Sequence, residues 1–198
     1  YEPKLNRWEW QRARCLQTVE DLYTQSFVLP YLVPMLENAG ANVLLPRERD
    51  CQTAEIIIDN DGCLNTGSTY AEHTADKVWL QGTGKGFAHL RPQYIDFENP
   101  FKEGTFRIAE TVKKGKESTA EWISEIPQNG QYAVYVSYQT VPNSSDDALY
   151  TVYHKGGVSQ FKVNQKMGGS TWVYLGTFGF DAGKSNACKV TLSNRSAK

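Results

Sequence analysis

The sequence predicts a mainly β chain: an antiparallel, jelly-roll-like β-sandwich preceded by a partial α/β segment of two helices and one strand. Three observations carry this. Between residues 130 and 192, side-chain character alternates with period two through consecutive runs separated by Asn, Asp, Ser and Gly. Over the first forty residues, apolar positions recur instead at three and four. A glycine and then a short apolar run close that helical part, as in the second half of an α/β unit.

In the helical part, Leu5, Trp8, Cys15, Leu16, Val19, Leu22 and Tyr23 form one apolar stripe, interrupted by Gln11 and Arg12; Leu29, Leu32, Val33 and Leu36 form a second. Ser26 is placed to cap the second helix, and Pro30 and Pro34 should kink or break it, because proline removes a ladder donor. Asn38-Ala39-Gly40 supplies a stop, with Gly40 suited to the left-handed cap. The following NVLLP reads as a strand over 42–45 buried on both faces, which requires a partner. The helical period ends between Arg49 and Ala54, dividing the chain into a segment 1–50 and a sandwich 54–198.

Early strands are expected over 55–58, 77–81, 86–90, 105–112 and 120–125. Gly82, Gly84 and Gly86 lack the spacing of a dinucleotide loop and no helix follows them, so a hairpin turn is expected there. LRPQYIDFENPFKEG reads as a long loop, and KKGKE at 113–117 as an exposed turn. In GQYAVYVSY, Tyr132, Val134, Val136 and Tyr138 share a face; in ALYTVYH, Ala148, Tyr150, Val152 and His154 do, and VSQFKV continues the period. TWVYLGTFGF puts Trp172, Tyr174, Phe178 and Phe180 on one side and Val173, Leu175 and Thr177 on the other; Cys188, Val190 and Leu192 end the series.

A chain of 198 residues is long enough to bury a core. With 21 basic and 22 acidic side chains the net charge is −1, so no basic field exists to attract nucleic acid or an anionic membrane. The longest apolar run, 27–36, is broken by two prolines and falls short of the roughly 20 residues a membrane span requires. The chain begins at Tyr1 without Met, which predicts a processed or excised segment. Aromatic content of 12% suits either a sandwich core or a surface that stacks on flat ligands. Cys15, Cys51, Cys63 and Cys188 have no C-x-x-C spacing, and free buried thiols are the plainer reading; Cys51 and Cys63 are the one pair close enough for a local bridge. Asn143-Ser144-Ser145 and Asn194-Arg195-Ser196 fit the glycosylation sequon, a pattern short enough to arise equally by chance.

No nucleophile elbow, H-E-x-x-H or Cys-His constellation is present, and Glu72-His73 lacks a helical partner histidine. Asp59-Asn60-Asp61-Gly62 resembles the start of a calcium loop, but Leu64 and Tyr70 occupy positions that need Gly and Glu, so a capped turn is expected. A lyase would need a positioned base, and nothing assembles one. A sugar site needs flat aromatics beside amides and carboxylates. The candidates are Trp79, Tyr94, Trp122, Tyr153 and Trp172, with Asp146, Asp147, Asn164 and Gln165 as polar neighbours; Asp146 and Asp147 also offer a pair for a structural calcium. Each aromatic fits a core position as well, and the core reading takes precedence. Tyr153, opposite Tyr150 and Val152, is the one placed to face solvent.

The pieces AVYVSY, ALYTVYHKGG, VNQ at 163–165 and GGSTWVYLGTFGF, with AEIIIDNDG before them, resemble the golvesin and xanthan-lyase type carbohydrate-binding-like domain over roughly 54–195. Members of that family usually continue into another strand after the position of KVTLSNRS, so the last strand is expected to be absent. Separately, VEDLYTQSFVLPYLVPMLENAGANVLLPRERD is similar to part of zinc-dependent N-acetylmuramoyl-L-alanine amidases, with Glu20 at the zinc-ligand glutamate and Arg47 and Asp50 at a turn; the two prolines depart from that pattern. Such a site needs two His and one Glu, whereas His73, His89 and His154 all lie in the sandwich, so Glu20 would ligate zinc only in a longer parent protein. These resemblances imply a non-catalytic carbohydrate-binding-like module of a secreted, periplasmic or cell-surface bacterial protein. Its partners would be a polysaccharide or peptidoglycan glycan and the rest of the parent enzyme, with no cofactor in this segment. The alternatives are a fragment of a zinc amidase and a structural or protein-interaction sandwich. Exposed apolar helix faces and an unpaired strand edge would favour a homodimer.

Overall fold

Each alternating run after residue 118 has one face to bury and a short turn to its neighbour, and these strands pair antiparallel throughout. The computed structural model describes residues 4, 23–41, 43, 54–65, 67–91 and 98–197. Two compact units result: Tyr1–Thr53 with Ile95–Glu98, and Ala54–Tyr94 with Asn99–Lys198.

The second unit contains β1 (Thr69–His73), β2 (Leu80–Gln81), β3 (Arg107–Ile108), β4 (Thr119–Ile126), β5 (Gly130–Val136), β6 (Ala148–His154), β7 (Gly157–Val163), β8 (Val173–Phe180) and β9 (Gly183–Ser193). A five-stranded sheet runs β1-β4-β9-β6-β7, while β5–β8 and β2–β3 form separate ribbons. The chain is thus mainly β with antiparallel sheets. Val134, Leu175, Phe178 and Phe180 of the β5–β8 ribbon pack on Val152, Cys188 and Val190 of the large sheet, so two layers share one core. Val152 is 0% and Tyr150 2% exposed. Burying a side chain of valine size contributes about 1.5–3 kcal/mol. The Tyr150 hydroxyl accepts from Gln165 Nε2 at 3.0 Å, which satisfies it inside the core, and burial pushes its pKa up.

Several early expectations need correcting. Residues 55–58 form no strand: the Ile57 N–H donates to Asn65 Oδ1 (3.0 Å) and its carbonyl accepts from Cys63 Sγ (3.1 Å), so side chains take the place of a ladder. The strand expected over 77–81 shrinks to β2, that over 105–112 to β3 plus a bridge at Val112, and that over 86–90 to a single bridge between Gly86 and Gly104. The glycine run makes no hairpin. It continues the β2–β3 pairing, with the Gly82 N–H donating to the Phe106 carbonyl (2.8 Å) and Gly86 bridging Gly104. Strand β1 was not expected, because TYAEH has no alternation of hydrophobicity. The loop before β3 includes a 3₁₀ turn, Pro100–Lys102, capped by Asn99 Oδ1 accepting from the Phe101 N–H (3.1 Å).

In the first unit, α1 (Gln25–Phe27), a π-helical turn (Val28–Leu32) and α2 (Val33–Asn38) follow one another. The wider turn contains Pro30, which has no N–H for an α ladder, and Pro34 stands in the first turn of α2, where its missing N–H costs little. Ser26 is no cap; it lies inside α1 and its Oγ donates back to the Tyr23 carbonyl (2.6 Å). The helix stops in a Schellman arrangement: the Ala41 N–H donates to Leu36 O (3.0 Å), the Gly40 N–H to Glu37 O (2.9 Å), and Gly40 has φ +88°. Of the strand expected over 42–45 only residue 43 is described, and the first helix up to residue 22 and the positions Glu20, Arg47, Asp50 and Cys51 lie outside the described residues. Among the described residues no helix is long and apolar enough to cross a membrane.

Candidate functional site

Period-two reading of β8 puts Trp172, Tyr174, Phe178 and Phe180 on one face, and the structure separates them. Pairing with β5 runs Val136↔Val173 and Tyr135↔Tyr174, then shifts so that Gly176 opposes Val134 and Phe178 opposes Tyr132. Leu175 is the extra residue of a β-bulge, and it packs on the same core as Phe178. After the bulge the phase reverses: Phe178 and Phe180 enter the core, while Tyr174 is 43% and Trp172 39% exposed. A glycine at 176 is required, because a Cβ there would lie 2.8 Å from Phe178 Cζ.

Trp172 is held from beneath. Buried Phe87 and Phe101 meet it edge to face, with centroids 4.8 Å and 5.8 Å away. Gln139 ties this base to the loop leading into β8: its Nε2 donates to the Phe101 carbonyl (3.4 Å) and its Oε1 accepts from Ser170 Oγ (2.7 Å). The Ser170 N–H donates to Tyr138 O (2.9 Å), and Ser170 sits at φ 60°, a conformation uncommon outside glycine that these bonds maintain. Tyr135 lies beside Tyr174 (5.3 Å, tilted 48°), and the Tyr174 hydroxyl pairs with Thr177 Oγ1 at 2.8 Å. The result is an open aromatic face with hydroxyls at its edge.

The other sugar candidates do not join this face. Trp79 is 8% exposed, and its Nε1 is buried without a hydrogen-bond partner among the described residues, so it is a core residue. Trp122 packs on Tyr70 (5.4 Å) on the inner side of the large sheet. Tyr153 does point away from the core as expected, but Lys189 Nζ stands 4.9 Å from its ring centre and also binds Glu121 (2.7 Å), so a cation already occupies that ring. The Glu121 pKa is lowered chiefly by that hydrogen bond. Asp146 pairs with Lys166 (2.9 Å). Asp147 accepts from Ser145 Oγ (2.7 Å), Ser196 Oγ (2.8 Å) and the Ala197 N–H (2.8 Å), which fastens residues 196–197 to the loop before β6. Asn164 Oδ1 caps the Lys166 N–H (3.0 Å), and Gln165 serves Tyr150. Tyr94 lies outside the described residues.

A second polar group was not legible from sequence. Arg107 grips Glu72 with Nε (2.6 Å) and Nη2 (2.9 Å) and donates to Trp79 O (3.2 Å), while the Tyr70 hydroxyl donates to the same carboxylate (2.6 Å). The Arg107 bond lowers the Glu72 pKa against the opposing effect of burial; burial first, then that carboxylate, raises the Tyr70 pKa. Fully engaged, this group clamps the β2–β3 ribbon to the large sheet.

Among the described residues no three His, Cys, Asp or Glu side chains group together to hold a metal ion. His73 lies by Glu121 (3.7 Å), and His154 stacks on Phe178 with its Nε2 at Ser159 Oγ (3.0 Å). Asp59–Gly62 is a turn closed by the Asp61 N–H on Asp59 Oδ1 (2.9 Å). Cys63 and Cys188 are free thiols, and Cys51, the other half of the expected local pair, lies outside the described residues. Of the sequons, Asn143 is exposed, whereas Asn194 is 5% exposed and uses its amide inside the fold, accepting from the Ser118 N–H (2.9 Å) and donating to Glu110 O (2.8 Å).

Comparison with known proteins adds the following. The family described as the Golvesin C-terminal domain matches residues 100–198, half of the chain. A solved Paenibacillus xanthan lyase is similar over 63% of this chain and 11% of that one, with 21% identity and a TM-score of 0.40. No curated protein matches.

Proposed function

The chain belongs to the Golvesin C-terminal domain family, and from that premise we propose that it is a non-catalytic carbohydrate-binding module of a secreted protein that processes polysaccharide or cell wall. The observation that carries this reading is the aromatic face of Trp172, Tyr174 and Tyr135, with its two outermost rings 39% and 43% exposed on a rigid base. Aromatics grouped on one exposed face can serve as an interaction surface, and a sugar ring presents flat C–H surfaces that stack on them while its hydroxyls reach edge groups such as Thr177. The open form of the face suits a polymer chain running across it.

Affinity electrophoresis of the full chain through gels containing different polysaccharides tests the reading. Retardation by at least one glycan is expected, and Trp172→Ala or Tyr174→Ala should each weaken it about tenfold, equivalent to about 1.4 kcal/mol. Migration unaffected by every glycan, or retardation that both variants keep, would defeat it. An amidase activity of a longer parent would draw on Glu20 and on ligands beyond this sandwich, and replacing Glu20 by Ala in such a parent, followed by zinc analysis, decides that separately.

A further inference from the structure

We infer that the glycan taken by this face is neutral, an inference that rests on the carbohydrate-binding reading above. The β5–β8 register defines the outward positions as Gln131 opposite Gly179, Ala133 opposite Thr177 and Tyr135 opposite Tyr174, with Trp172 just before the strand. None of these seven residues carries a charge. The outward face of the five-stranded sheet is different: the same alternation puts Lys189, Glu121, His73 and Lys162 there.

Two lysines near the ribbon are held in ion pairs. Next to Gly179, whose carbonyl accepts from the Lys155 N–H, Lys155 Nζ binds Asp181 at 2.7 Å. In the loop before Trp172, Lys166 binds Asp146 at 2.9 Å. A uronic acid would bring a carboxylate that sheds water on contact, and among the described outward residues of the ribbon no Arg or Lys stands to compensate that loss. What the face does offer matches hydroxyl groups, which both donate and accept. The Tyr174 and Thr177 hydroxyls lie 2.8 Å apart, and the Gln131 amide lies across Gly179, 3.4 Å from where a Cβ would stand.

The test uses the full chain on an array of neutral and uronic-acid oligosaccharides, followed by calorimetry with hydroxyethyl cellulose and polygalacturonate. Ionic strength is varied from roughly 0.01 M to 1 M, which shortens the screening length from about 30 Å to about 3 Å. Binding confined to neutral glycans, independent of salt and weakened about tenfold by Trp172→Ala and by Tyr174→Ala, is the expected result. Salt-sensitive binding of uronic-acid glycans that the same variants abolish overturns neutrality while leaving a glycan site in place; absence of all glycan binding overturns both. Thr177→Lys puts a cation beside Tyr174 and is expected to add salt-dependent binding of polygalacturonate. If it adds none, this face is not the ligand site.

Discussion

Replacing Gly176 by Ala tests the bulge that separates the aromatic face from the core. The new methyl would stand 2.8 Å from Phe178 Cζ and 3.0 Å from its Cε2. Phe178 has little room to retreat, because His154 stacks on it at 4.7 Å and Phe161 meets its edge at 6.1 Å. Overpacking of this kind costs about 1–3 kcal/mol, and at this chain length each kcal/mol lowers Tm by about 2–4 °C. Gly84→Ala is the control for backbone strain alone, since Gly84 has φ +114° with nothing within 4 Å of a Cβ; it should cost about 1 kcal/mol. The double variant Gly176→Ala with Phe178→Leu removes the atoms that collide and should lose less than the two single changes added together. Urea unfolding followed by tryptophan fluorescence measures all four. The reasoning fails if Gly176→Ala is as stable as the parent, or if the double variant is strictly additive, because either outcome means the methyl and the ring never met.

Three further outcomes follow from the geometry. Glu72→Gln leaves Arg107 without its counter-charge in a half-buried clamp and should lower stability by about 2 kcal/mol in urea titrations. Because the Glu72 pKa is lowered, its contribution is present above the ordinary carboxylate range and is lost as pH falls through the folded value. Asp59 behaves oppositely. Burial raises its pKa to about 6, so the folded state holds the proton more tightly and stability declines as pH rises from about 4 to about 6; Asp59→Asn keeps an acceptor for the Asp61 N–H and should flatten that decline in urea midpoints measured across the window. Tyr153→Ala should cost about 0.5–1 kcal/mol through loss of the Lys189 contact. It should leave glycan retention unchanged in the gel assay, since its ring is not on the aromatic face.

Local pattern made much of the fold readable. Tyr150 and Val152 alternate with outward residues in β6 and are almost fully buried, because a strand's two faces are set by covalent geometry alone. The stop at Gly40 and the disruption around Pro30 were legible for the same reason, each following from one residue's own backbone limits. Strand β1 was hidden because its polar side chains find partners far along the chain: Glu72 is held by Arg107, 35 residues away. Trp172 was recognised as a sugar candidate, yet its face was misassigned and Tyr174 was passed over.

Residue order alone thus made the antiparallel strands of the second half legible, with Val152 and Cys188 inside. Tertiary structure alone decided which aromatics meet solvent. A bulge is an unequal count between two strands, visible only once β5 lies beside β8, and that one additional residue, Leu175, turns Trp172 and Tyr174 outward while Phe178 and Phe180 close the core.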